Sequence, residues 1–223
     1  MNAAHLKSFW KYAWLTWRRD QLWFPLAFLA LFVVILSILP NPAARFSIAR
    51  AYLGFIVPLI GGILAAYSVL DDPALELRFS TPVRAEQTLL ARLGLILAVQ
   101  AACALAFQLF VAALGIDLSP LGGLLRVQLV WFLPTLSLTA LGCAGSLAGA
   151  QTALGAFLAG AVWLVQLIMN SWLQQNAVSV FLFLGVIVPD HPDLAMNQGV
   201  LFAGSMVLLL ISWALLRHQE RYL

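Results

Sequence analysis

Apolar residues run in long blocks along this chain, broken by short polar or proline-bearing punctuation. The first block extends from about Leu22 to Leu39 and closes at Pro40-Asn41-Pro42, and the second from about Tyr52 to Leu70 and closes at Asp71-Asp72-Pro73. Four more follow, from about Leu89 to Leu114, Leu124 to Leu147, Thr152 to Leu173 and Gly199 to Leu216. An α-helix rises about 1.5 Å per residue and a hydrocarbon core is about 30 Å thick, so each block predicts one transmembrane helix. A shorter run, Ala177 to Val188, ends in Pro189-Asp190-His191-Pro192-Asp193. Its length covers only about 18 Å as helix, which predicts a re-entrant segment. Non-helical backbone at that depth must be shielded by protein or by a wet cavity, because exposed amides in lipid cost several kcal/mol each.

Ahead of the first block, Leu6, Trp10, Ala13, Trp14 and Trp17 fall on one helical stripe, with Lys7, Lys11 and Arg18 along its edge. That pattern predicts an interfacial helix over residues 1–20, with indoles sunk in the headgroup layer and basic groups snorkelling outward. The following apolar block is longer than a signal-peptide core and lacks an A-x-A exit, so no cleaved leader is expected. Basic residues then orient the chain. With both termini cytoplasmic, the inner face carries Lys7, Lys11, Arg18, Arg19, Arg78, Arg84, Arg92, Arg217 and Arg221, against Arg45, Arg50 and Arg126 outside. A full crossing by Ala177 to Val188 would put Arg217 and Arg221 outside, so the even count is favoured. The expected location is a bacterial-type inner (cell) membrane.

Composition narrows the classes further. Of 223 residues, 63% are hydrophobic and 9% charged, and the mean hydropathy is +0.95, which excludes a soluble enzyme. The formal charge of +3 is placed for membrane orientation, and no nucleic-acid partner is expected. Cys103 and Cys143 lie inside apolar runs and read as small hydrophobes. No repeat and no second domain is visible, so residues 1–223 form a single transmembrane domain.

The richest polar stretch joins the second and third blocks. Asp72 before Pro73 forms an N-cap and first-turn pair that can start a short helix running to about Phe79, and Thr81 before Pro82 repeats the device. Glu76, Arg78, Arg84 and Glu86 are left available to a partner, unless the stretch is an ordinary solvated loop. The only lysines are Lys7 and Lys11, so no phosphate-cradling G-x-x-x-x-G-K-[ST] loop exists; this chain is not expected to be an enzyme or to carry a cofactor. No Asp, Glu or Lys lies near a midplane, which argues against an ion-coupled carrier.

Gln166, Asn170 and Gln174 are spaced i, i+4, i+8 on the fifth block and predict one amide stripe, facing a translocation path, a dimer axis or a neighbouring helix. Gln100 and Gln108 repeat the spacing more weakly. Gly142, Gly145, Ser146 and Gly149 read as a close-packing surface rather than a serine active site, since His5, His191 and His218 all lie outside the blocks. Asp190, His191 and Asp193 read as a solvated turn, and no metal site is expected.

The basic amphipathic start, the six blocks, the loop Glu76-Leu-Arg-Phe-Ser-Thr-Pro82 and the re-entrant stretch before the last block resemble the ABC-2 type permeases, membrane subunits of type V ABC transporters. The resemblance implies an all-α integral membrane protein with six transmembrane helices, an N-terminal interfacial helix and a re-entrant segment at 177–188. It implies a coupling helix at Pro73 to Phe79, with Asp72, Pro73, Glu76, Arg78, Phe79 and Arg84 meeting a cytoplasmic ATPase subunit. Lys7, Trp10, Lys11, Trp14, Trp17 and Arg18 become an interface helix in contact with membrane lipids. Two ATPase copies would hold ATP and Mg, and a second permease subunit, identical or similar, would complete a path lined by the first and fifth spans. Export of an amphipathic or lipid-like cargo is the implied activity. A haem-exporter B-like subunit has similar length and span count, and a non-transporting membrane scaffold or assembly factor is the alternative from a different class.

Overall fold

The computed structural model describes residues 20–70, 85–176, 181 and 183–217, and no strand occurs among them. Residues 1–19 of the interfacial helix expected over 1–20, and the loop residues Asp72, Pro73, Glu76, Arg78, Phe79 and Arg84, lie outside the described residues. Helix α1 (Asp20–Ile38) is followed by α2 (Pro42–Ala51), a single π turn (Tyr52–Ile56) and α3 (Val57–Leu70). Then come α4 (Ala85–Ala113), α5 (Leu124–Gly149), α6 (Thr152–Ile168), the short α7 (Asn170–Gln174) and α8 (Leu184–Ile187), and finally α9 (Leu194–Leu216).

Among the described residues, four helical stretches are long and apolar enough to cross a membrane: Pro42–Ser68, Thr88–Ala113, Leu124–Gly149 and Leu194–Leu216. Leu22–Ile38 and Thr152–Ile168 are apolar but shorter. Several helices begin before their hydrophobic runs do, the second and the last by the widest margin. The second starts at Pro42 rather than Tyr52, because the Asn41 side chain accepts the Ala43 amide at 2.9 Å and Pro42 occupies the first turn, where its missing N–H costs nothing. The last starts at Leu194 rather than Gly199. The fifth stops at Ile168 instead of continuing to Leu173; Met169 leaves the helical region and the chain restarts at Asn170.

Helix α5 is the pillar of the bundle: 72% of its apolar window is buried, against 33% in α4 and 22% in α9, and α3, α6 and α9 all pack on it. Small residues permit this. A methyl group added to Gly142 would overlap the carbonyl of Gly62 on α3, and one added to Gly155 on α6 would overlap the carbonyl of Gly142, so three backbones meet at one level. Gly145 faces Leu158 and Gly149 faces Leu154, both on α6, as expected for a close-packing surface. Ser146 is fully buried there and donates to the carbonyl of Cys143 at 2.9 Å.

The two largest apolar clusters among the described residues lie one toward each end of the bundle. At the end where α3 stops and α4 starts, Ile60, Leu64, Leu89, Leu93, Ile96, Cys143, Leu147 and Leu216 pack together. Toward the opposite end Leu36, Tyr52, Leu53, Val57, Ala104, Phe107, Val111 and Trp131 do so, with Tyr52 stacked between Phe32 and Phe107 at centroid distances of 5.1 and 4.1 Å. Outward faces are apolar as well: Trp23, Leu31, Leu109, Leu125, Phe157, Ile168 and Leu210 are exposed on five different helices. Water does not tolerate that much exposed hydrocarbon; a bilayer requires it.

Candidate functional site

The chain brings polar groups together at both ends of the bundle. At the α3–α4 end, Ser68 sits one turn from the C-terminus of α3, and its hydroxyl donates to Ala65 O at 2.8 Å. Arg92, two turns into α4, reaches across and donates through Nη1 to the carbonyl of Ser68. Both residues are buried, Arg92 at 7% exposure. Carbonyls toward the C-terminal end of a helix carry the negative end of its dipole, so a guanidinium is well suited to meet one. This junction flanks the polar loop that the sequence singled out. Arg92 counted in the sequence only as a basic residue near a span end; its reach to Ser68 depends on helix pairing, which periodicity does not report.

At the other end the backbone itself is the polar problem. In the segment before α9, Phe183, Leu184 and Val186 are each 1% exposed or less, while Phe181 and the turn residues Asp190, Pro192 and Asp193 are exposed. Gln166 on α6 resolves it. Its Oε1 accepts the amide of Phe183 at 2.9 Å, and its Nε2 points at the carbonyl of Phe181 at 3.4 Å. Val186 of α8 is seated against Gly54, where any side chain on residue 54 would collide with it. Gly54 lies in the π turn, in which Val57 N–H reaches back to Tyr52 O. The indole N–H of Trp163 on α6 donates to the carbonyl of Phe55 in the same turn at 2.9 Å. The short α8 therefore rests on the π turn, and α6 holds both.

The amide stripe of the fifth block is thus divided. Gln166 is buried and bonded to backbone, Asn170 donates locally to Leu167 O at 3.2 Å, and the side chain of Gln174 lies outside the described residues. Asn170 stands just past the helix break, where a side-chain amide competing for a backbone carbonyl favours interruption. A second polar group joins α4 to α5: Gln128 donates to Gln108 Oε1 at 2.7 Å and accepts from the Trp131 indole at 2.8 Å. Gln100 on α4 is 1% exposed, and neither amide atom finds a partner among the described residues.

Charged groups stay at the ends. Asp117 receives the hydroxyl of Ser119 at 2.5 Å and its amide at 2.8 Å, which holds its carboxyl below the usual carboxylate range. Asp190 lies 4.0 Å from Arg126, while His191 and Asp193 face each other at 3.9 Å. No group of three or more His, Cys, Asp or Glu positioned to hold a metal occurs among the described residues. The π turn and the Trp163 bond had weak sequence signals in Gly54, Pro58 and a mid-helix indole; none specifies a partner. No family model matches the chain, and no curated protein or solved structure matches it significantly.

Proposed function

We propose that this chain is a six-span permease subunit of an ATP-driven transporter of the ABC-2 type. The supporting observation is the polar loop of residues 71–84, bearing Glu76-Leu-Arg-Phe-Ser-Thr-Pro82, between two helices long and apolar enough to cross a membrane. Helix α6, with 17 residues, is about 26 Å long and can span with slight local thinning of the bilayer, as can α1. Counting these two with the four longer stretches gives six spans, and the segment holding α8 enters and leaves on one side. The proposed orientation has both termini cytoplasmic. A cytoplasmic ATPase, present in two copies and carrying ATP and Mg, docks on the 71–84 loop through Glu76 and Arg78. ATP-driven movement of the motor pushes α3 and α4, and a second permease subunit completes the path. The low charge of the helices suits an amphipathic or lipid-like cargo moved outward.

Purification from the native host in mild detergent tests the reading. An ATPase subunit is retained by the wild-type chain and lost from the double charge reversal E76R/R78E, with the variant still monodisperse. Recovery of a folded wild-type chain with no ATPase bound overturns the proposal in favour of a scaffold.

A further inference from the structure

Helix ends fray, and an end that must transmit force needs more than its own last hydrogen bonds. The C-terminal turn of α3 is bonded sideways at one described point, the carbonyl of Ser68, by a guanidinium whose stem is anchored two turns up α4. The bond lies inside the bundle, where Ser68 is 2% exposed and Leu64, Leu89, Leu93 and Ile96 pack around the same level. Water is kept out, so the charge-assisted bond is not weakened by competition. A solvated arginine at this depth would have been free to snorkel to the interface; this one is turned inward onto a backbone carbonyl. Bonding to backbone rather than to a side chain locks α3 itself, whatever residue stands at position 68.

We infer that Arg92 is a positioning residue that makes the end of α3 and the start of α4 move as one body. The two helices are joined at this level, so displacement of either is passed to both and then to α5, on which α3 packs. Without Arg92 the last turn of α3 unwinds locally and a push on the junction is absorbed there. The role deepens the permease reading and rests on it for its purpose, but the mechanical claim needs no partner protein.

Hydrogen–deuterium exchange on the full chain in phospholipid nanodiscs tests it without any partner. Loss of a hydrogen bond to a charged group corresponds to roughly tenfold in a local opening equilibrium. In R92A, amides 66–70 and the first turns of α4 are expected to exchange about tenfold faster, while those in the middle of α5 stay as in wild type. R92K, which keeps a cationic donor, restores most of the protection, and R92Q restores less. Unchanged exchange at 66–70 in R92A, or an equal rise throughout α5, overturns the inference; if R92A is not recovered folded, the order of R92K and R92Q decides it. Local loosening in a chain that never retains an ATPase leaves the clamp standing and removes the permease reading. An ATPase-retaining chain with no local loosening does the reverse.

Discussion

At the scale of single residues, absence of a side chain matters as much as presence of one. Gly142 lies where three helices converge, facing the carbonyl of Gly62 on one side and lending its own carbonyl to Gly155 on the other. Overpacking such a site costs typically 1–3 kcal/mol, or about that and more when backbone has to yield. Gly160, on the same α6, has open space where its side chain would be. G142A is therefore expected to lower the thermal midpoint of the detergent-solubilised protein by several degrees, roughly the shift that 1–3 kcal/mol produces at this size. G160A is expected to leave it near wild type. Equal midpoints for the two variants would show that the convergence is looser than the backbone suggests. Ala150 works in the opposite sense: it takes a left-handed φ of 51° between α5 and α6, where glycine is the usual choice, and so holds the tight connection at some strain.

At the scale of elements, the unit of interest is α8 and the groups that hold it. The short helix satisfies the amides of Val186, Ile187 and Val188 on the carbonyls of Phe183 and Leu184, but the Phe183 amide ahead of it needs an outside partner. Gln166 supplies one acceptor and one donor from α6, Gly54 supplies room, and Trp163 ties α6 to the π turn by donating to Phe55 O. Q166L keeps the bulk and removes the amide. It is expected to destabilise the segment by about 1–3 kcal/mol, the cost of leaving a buried donor unsatisfied. The reading is the exchange rate of the Phe183 amide, rising about fivefold or more with α5 unaffected. A protected Phe183 amide in Q166L would mean that the segment is held by packing of Phe183, Leu184 and Val186 alone.

At the scale of the whole molecule, the question is which end of the bundle faces the cytosol. Asp117 and Gln151 are both exposed and lie in turns at opposite ends, and the natural cysteines, Cys103 and Cys143, are buried and replaceable. In a chain freed of both, D117C is expected to react with an impermeant maleimide in intact cells, and Q151C only after the membrane is opened. The reverse pattern would put the 71–84 loop outside and remove its access to any cytosolic motor.

The all-helical class and the approximate course of each apolar helix were legible in the sequence because a hydrocarbon solvent imposes a single requirement: some twenty residues of low polarity with every backbone bond made internally. The packing role of Gly142, Gly145 and Gly149 was legible for a similar reason, since close backbone approach needs small residues wherever it occurs. What the tertiary structure alone decided is pairing. Hydropathy scored Pro42–Ala51 as too polar to belong to a long helix, and it treated Gln166, Asn170 and Gln174 as equivalent members of one stripe. Only the folded chain assigns Gln166 to the backbone of Phe181 and Phe183, Trp163 to Phe55, and Arg92 to Ser68. Each of those bonds joins groups 15 to 108 residues apart in the chain, and periodicity along one helix carries no information about which face of another it will meet.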